Sequence, residues 1–104
     1  MSQTDPVILL ATLVPRAGRE TELRDAVLSI VPDVLREDGC QSYAAHEPEN
    51  QRGTIVMYER WRDRAAFEAH GAGPSFTALS ARFDDLLAGP LDLHFLNALD
   101  APAH

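Results

Sequence analysis

The spacing of apolar residues changes character along this chain and marks out its elements. Val7-Ile8-Leu9-Leu10-Ala11-Thr12-Leu13-Val14 is a β-rich run with almost no polar residue at either parity, set between Pro6 and Pro15. Strands of this kind are covered on both faces. The period then lengthens. Leu23, Ala26, Val27, Ile30, Val31, Val34 and Leu35 recur at helical spacing, with Arg19, Glu20, Glu22, Arg24, Asp25, Asp33 and Arg36 on the other side. This predicts an amphipathic helix with one apolar stripe. Pro32 removes one hydrogen bond from it, so a kink or break is expected there, and Gly39 is expected to stop it.

Residues 40–48 and 53–62 read as two strands around the polar, glycine-containing stretch Glu49-Asn50-Gln51-Arg52-Gly53, which suits an antiparallel hairpin. Alternation in the second strand puts Ile55, Met57, Glu59 and Trp61 on one face and Val56, Tyr58, Arg60 and Arg62 on the other. Asp63 can cap the following helix, in which Ala66, Phe67 and His70 share a side. Gly71-Ala72-Gly73 is expected to interrupt that helix. Pro74 then opens another, striped by Phe76, Leu79, Phe83, Leu86 and Leu87 and closed by Gly89-Pro90. Leu91 to Leu99 reads as the last strand, and residues 1–5 and 100–104 as frayed tails.

The order β, α, β, β, α, α, β predicts one α+β domain over residues 1–104, with its core in 7–99. The architecture is ferredoxin-like: a four-stranded antiparallel sheet with helices on one face. Helices cover one side of such a sheet, yet the first and last strands carry apolar residues on both. Exposing those side chains costs roughly 1.5–3 kcal/mol each. Two sheets packed face to face remove that cost, so a symmetric homodimer, a dimeric α/β barrel, is expected.

Composition narrows the partners. The 104 residues include nine basic and sixteen acidic side chains, a net charge of −7, and no lysine. The basic footprint that phosphate backbones require is missing, so no nucleic-acid partner is expected. A lone cysteine, Cys40, cannot form an internal disulfide and reads as a small buried apolar residue. The apolar run at residues 7–14 is too short for a membrane span or a signal segment, so a cytoplasmic protein without membrane contact is expected. His46 and His94 lie on strands without a second ligand at metal spacing, and His104 ends the tail, so no metal site is expected. No nucleotide fingerprint or Ser/His/Asp order is present.

The candidate chemistry gathers around Trp61 and His70. A strand-end tryptophan is more often plain core, and a histidine beside Phe67 is commonly a satisfied core or cap residue. Their convergence near Glu59, an acid on an otherwise apolar face, raises the functional reading. A small apolar hollow with those groups suits a flat aromatic ligand. Tyr43 and Tyr58 can donate a phenolic proton to such a ligand, or equally serve an interface.

Glu37-Asp38-Gly39-Cys40-Gln41-Ser42-Tyr43 resembles an E-x-G-C-x-x-Y motif. With Gly18 before the first helix, Tyr58-Glu59-Arg60-Trp61 (Y-E-x-W) and His70 on the next helix, the chain resembles the antibiotic biosynthesis monooxygenase family, including its quinol monooxygenases, over residues 7–97. The resemblance implies a ferredoxin-like unit that dimerises through its sheets. It also implies a cofactor-independent monooxygenase that oxidises a small phenolic, quinol or anthrone-like aromatic with dioxygen. In that reading His70 is the base or proton relay and Glu59 its orienter. Trp61 stacks on the substrate and offers its N–H, while Met57, Phe67, Ser75, Phe76 and Phe83 complete the substrate site. Two departures bear on this. Ser75 stands where many members carry a second histidine after the helix-opening proline, and the first strand lacks the asparagine of haem-degrading relatives, with Ala11 in its place. A non-catalytic small-molecule-binding protein on the same scaffold is the alternative, with haem binding or degradation behind it.

Overall fold

The computed structural model describes residues 5–99, so residues 1–4 and the tail expected at 100–104 lie outside it. Its elements are β1 (Val7–Leu13), α1 (Glu20–Leu35), β2 (Cys40–His46), β3 (Ile55–Trp61), α2 (Arg64–Ala72), α3 (Pro74–Ser80), α4 (Phe83–Leu86) and β4 (Asp92–Leu96). The strands form one antiparallel sheet in the order β2-β3-β1-β4, the ferredoxin-like arrangement.

Alternation sets the faces. Val7, Leu9, Ala11 and Leu13 of β1 and Ile55, Met57, Glu59 and Trp61 of β3 are buried under the helices. Register aligns them into rows across the sheet. Tyr43, Glu59, Leu9 and Phe95 form one row, and Ala45, Met57, Ala11 and Leu93 the next. From above, α1 contributes Leu23, Val27 and Val34, while α3 and α4 contribute Leu79 and Leu86. On the opposite face Leu10, Val56 and Tyr58 are half-buried and Leu96 is exposed, with no helix packed over them.

Four details depart from the sequence expectations. α1 runs unbroken through Pro32, because Leu28, whose carbonyl loses its partner, and Pro32 itself face solvent, where water can replace the bond. Gly71 and Ala72 belong to α2, and it is Gly73 that ends it. The helix opened by Pro74 is two helices. Arg82 N donates to Leu79 O in a tightened turn, and after α4 the chain is extended at Leu87 and joins the end of β1, where Ala88 N donates to Val14 O at 2.8 Å. β4 stops at Leu96, which pairs with Ile8; the register puts 97 opposite Val7, the first residue of β1, so 98 and 99 lie beyond that strand.

Gly39 fixes the turn between α1 and β2. Its φ is +81°, and a Cβ there would lie 2.4 Å from the Cβ of Ala66, so α2 packs directly against it. Its carbonyl accepts from Arg62 N at 2.8 Å. This contact draws the segment just before it, including Glu37, beside α2.

Candidate functional site

The end of β3 and the start of α2 are locked by one residue. Asp63, in extended conformation, accepts a hydrogen bond from Ala66 N at 2.9 Å, capping α2. Two turns on, the helix presents His70 downward onto β3, next to Trp61. The two rings stack with centroids 4.6 Å apart and planes 27° from parallel. Tyr43 meets the imidazole edge-on at 5.5 Å and Phe76 at 5.6 Å. The indole is 0 % exposed, and Glu59 and His70 are each 5 % exposed.

Two hydrogen bonds order this cluster. Trp61 Nε1 donates to Glu59 Oε1 at 3.0 Å. His70 Nδ1 lies 2.9 Å from Glu37 Oε1, the contact of a ring N–H donating to a carboxylate. Burial raises the pKa of Glu59; the Trp61 bond and nearby His70 oppose this, and Glu37 adds to it. Burial likewise raises the Tyr43 phenol, helped by the charges of Glu59 and Glu37. Both side chains therefore hold their protons more tightly than in water.

Above this cluster is an apolar cavity of about 180 Å³. Its floor is the sheet, from Leu9, Ala11, Leu13, Tyr43, Met57 and Glu59. Its roof is Phe67, His70 and Gly71 of α2, with Phe76, Leu79 and Phe83 beyond, and Leu91 and Leu93 close the side. Arg64 lies over the rings of both Phe67 and Phe95, which meet edge to face at 5.5 Å. An apolar cavity of about 150 Å³ binds benzene, so this one has room for a single aromatic ring. A porphyrin is far larger.

On the other side of α2 is an outer hollow of about 640 Å³, lined by Glu37, Asp38, Arg62, Pro74, Ser75 and the far edge of His70 among others. Arg62 there binds Asp38 at 3.0 Å, holding that carboxyl below the usual range. Among the described residues no three His, Cys, Asp or Glu side chains gather as a metal site, and no helix is long and apolar enough to cross a membrane.

The structure thus sorts the residues singled out from sequence. His70, Glu59, Met57, Phe67, Phe76 and Phe83 share the apolar cavity. Trp61 does not reach its wall: it lies behind His70, with its N–H spent on Glu59. Ser75 lines the outer hollow instead. The partner of His70 is Glu37, not Glu59, and Tyr43 joins the cavity floor. Glu37 stands 33 positions from His70, on no apolar period; the E-x-G-C-x-x-Y match was the one sequence signal that touched it.

Comparison with known proteins adds to the geometry. The sequence profile described as antibiotic biosynthesis monooxygenase matches residues 6–82. The chain is 32% identical over 97 residues to Rv0793 of Mycobacterium tuberculosis, named as a suspected monooxygenase, covering 93% of this chain and 95% of that protein. It is 29% identical over 87 residues to YcnE of Bacillus subtilis, named in the same way, covering 84% and 92% respectively. The solved structure of Rv0793 superposes with a TM-score of 0.87 at 30% identity, covering 95% of this chain and 100% of the other. That of PA3566 from Pseudomonas aeruginosa gives 0.87 at 27%, with 96% and 100% covered.

Proposed function

Since the chain belongs to the antibiotic biosynthesis monooxygenase family, we propose that it is a cofactor-independent monooxygenase acting with dioxygen on a small electron-rich aromatic. One observation carries the reading: a histidine pinned through Nδ1 on a carboxylate borders an apolar, ring-sized cavity whose floor also holds the Tyr43 phenol. The volume favours a one-ring phenol or hydroquinone over a three-ring anthrone.

A hydroquinone can reduce dioxygen itself once deprotonated, so the protein needs a base, a donor for developing negative charge and exclusion of water. His70 takes the phenolic proton. The resulting phenolate passes electrons to dioxygen, a carbon–oxygen bond forms on the ring, and the peroxide O–O bond breaks. The protons return to the departing oxygen as water. Overall, hydroquinone and dioxygen give hydroxyquinone and water. Tyr43, whose phenol burial keeps protonated, is the donor for the oxyanion and peroxide oxygens. Trp61 backs the imidazole and fixes Glu59, and the phenylalanines hold the ring.

A second copy of the chain is the proposed cover for the helix-free sheet face, where Leu10, Val56, Tyr58 and Leu96 lie. The test of the activity is oxygen consumption with a panel of one-ring quinols. His70→Ala is expected to lower turnover roughly 10²- to 10⁴-fold with the fold intact. Unchanged turnover removes the mechanism. Quinols that bind by calorimetry without oxygen consumption above buffer favour the binding-protein reading, which the scarcity of polar groups in the cavity also supports.

A further inference from the structure

His70 lines both hollows, the apolar cavity on one side and the outer hollow that it shares with Glu37, Asp38, Arg62 and Ser75 on the other. It is the one residue that the linings of both hollows share. The side chain of His70 is 5% exposed and that of Glu37 22%, so the pair runs from a buried position toward the surface. The two nitrogens of an imidazole point in divergent directions, and with Nδ1 held on Glu37 the other is turned away from the outer hollow. Among the described residues no buried side-chain nitrogen or oxygen lacks a partner. Nε2 has no partner among the described residues and is therefore not sealed from space around it.

The groups around the ring make Glu37 the proton acceptor. From β2 Tyr43 faces it and from β3 Glu59, with Cys40 close to both carboxylates and Phe76 approaching from α3. Burial raises the Tyr43 phenol, and the Glu59 carboxyl accepts from Trp61 Nε1 instead of from the imidazole. Glu37 alone of these touches a ring nitrogen and also lines the outer hollow.

We propose that Glu37 is a positioning and relay residue, holding His70 as the Nδ1–H tautomer and exchanging its proton with the outer hollow. The apolar cavity then has a proton path to the outer hollow through the imidazole. The relay rests on the monooxygenase reading. As Nε2 takes the phenolic proton, Nδ1 gives its proton to the Glu37 carboxylate, and the ring stays neutral. When the peroxide oxygen leaves, the flow reverses: Glu37 returns a proton to Nδ1, and Nε2–H supplies the oxygen that becomes water. No net proton is gained or lost.

Glu37→Gln keeps an acceptor oxygen for Nδ1–H but cannot take the proton, whereas Glu37→Asp keeps the carboxylate. With 2-methylhydroquinone as probe and oxygen consumption as readout, the Gln variant is expected to lose roughly 10- to 100-fold in kcat with KM unchanged. Added formate, reaching Nδ1 from the outer hollow, is expected to restore part of the loss, and Glu37→Asp to retain most of the rate. Wild-type kcat in the Gln variant, or a loss that formate does not touch, overturns the relay. Nitrogen-15 NMR of His70 without substrate reads the same contact independently of turnover. The wild-type ring is expected to be the Nδ1–H tautomer, to mix with Nε2–H in Glu37→Ala, and to exchange its proton with water more slowly in Glu37→Gln. A wild-type ring protonated on Nε2, or equal exchange in the Gln variant, overturns the proposal. The expected NMR pattern in a protein that oxidises no quinol sinks the monooxygenase reading and upholds the Glu37–His70 exchange.

Discussion

Replacing Trp61 by phenylalanine separates the indole's packing from its hydrogen bond. The indole is fully buried and its N–H meets Glu59 Oε1 at 3.0 Å. Phenylalanine removes about 40 Å² of apolar surface, worth about 1 kcal/mol at about 25 cal/mol per Å². It also strips a buried carboxyl of its donor, which costs about 1–3 kcal/mol. The expected loss is therefore about 2–4 kcal/mol, a large share of the roughly 5–15 kcal/mol that holds a domain together. In a Glu59→Leu background the carboxyl is already gone, so only the packing part remains. The double-mutant cycle should then show a coupling of about 1–3 kcal/mol. Urea unfolding followed by far-UV circular dichroism, with an unchanged m-value, measures all four corners. Costs that add to within about 0.5 kcal/mol would refute the argument that the indole N–H is what stabilises Glu59.

Three further outcomes follow from the same structure. The folded-state pKa of Glu59 is raised above its ordinary value of 4.5, with burial the largest cause, so the folded chain binds more protons than the unfolded one. Stability contributed by this group is expected to fall as pH rises from about that ordinary value through the raised one, and Glu59→Gln to flatten the slope in calorimetric melts; a rising slope across that window contradicts it. Gly39→Ala forces a Cβ to within 2.4 Å of Ala66 Cβ at a positive φ; it should cost at least about 2 kcal/mol and lower the melting temperature, and an unchanged melt would show that α2 does not depend on this close approach. Light scattering should give twice the chain mass for the wild type and a shift toward the single chain for Leu10→Arg, which puts a charge on the helix-free face; a wild-type monomer refutes the face-to-face pairing.

The sheet was legible because alternation is a local property. The split of β3 into Ile55, Met57, Glu59 and Trp61 against Val56, Tyr58 and Arg60 needs no knowledge of what lies above it. The α1 stripe was legible for the same reason, and so was the capping role of Asp63. What the sequence hid depends on distant segments. Helical spacing continues from Phe76 through Leu87, yet the chain turns at residues 81 and 82 because Leu86 and Ala88 are needed at the end of β1. The proximity of Trp61 and His70 was readable, but not their order, since the depth of an indole behind an imidazole is set by helix-on-sheet packing. Glu37 escaped because it lies in a turn and owes its position to Gly39 closing against Ala66.

The placement of the sole tryptophan has a practical consequence. An imidazolium quenches the emission of an indole in contact with it, whereas a neutral imidazole does so weakly. With no other indole to dilute the signal, a relay that keeps the ring neutral leaves the emission of the unlabelled protein bright through turnover, and dimming would mark a ring that carries charge.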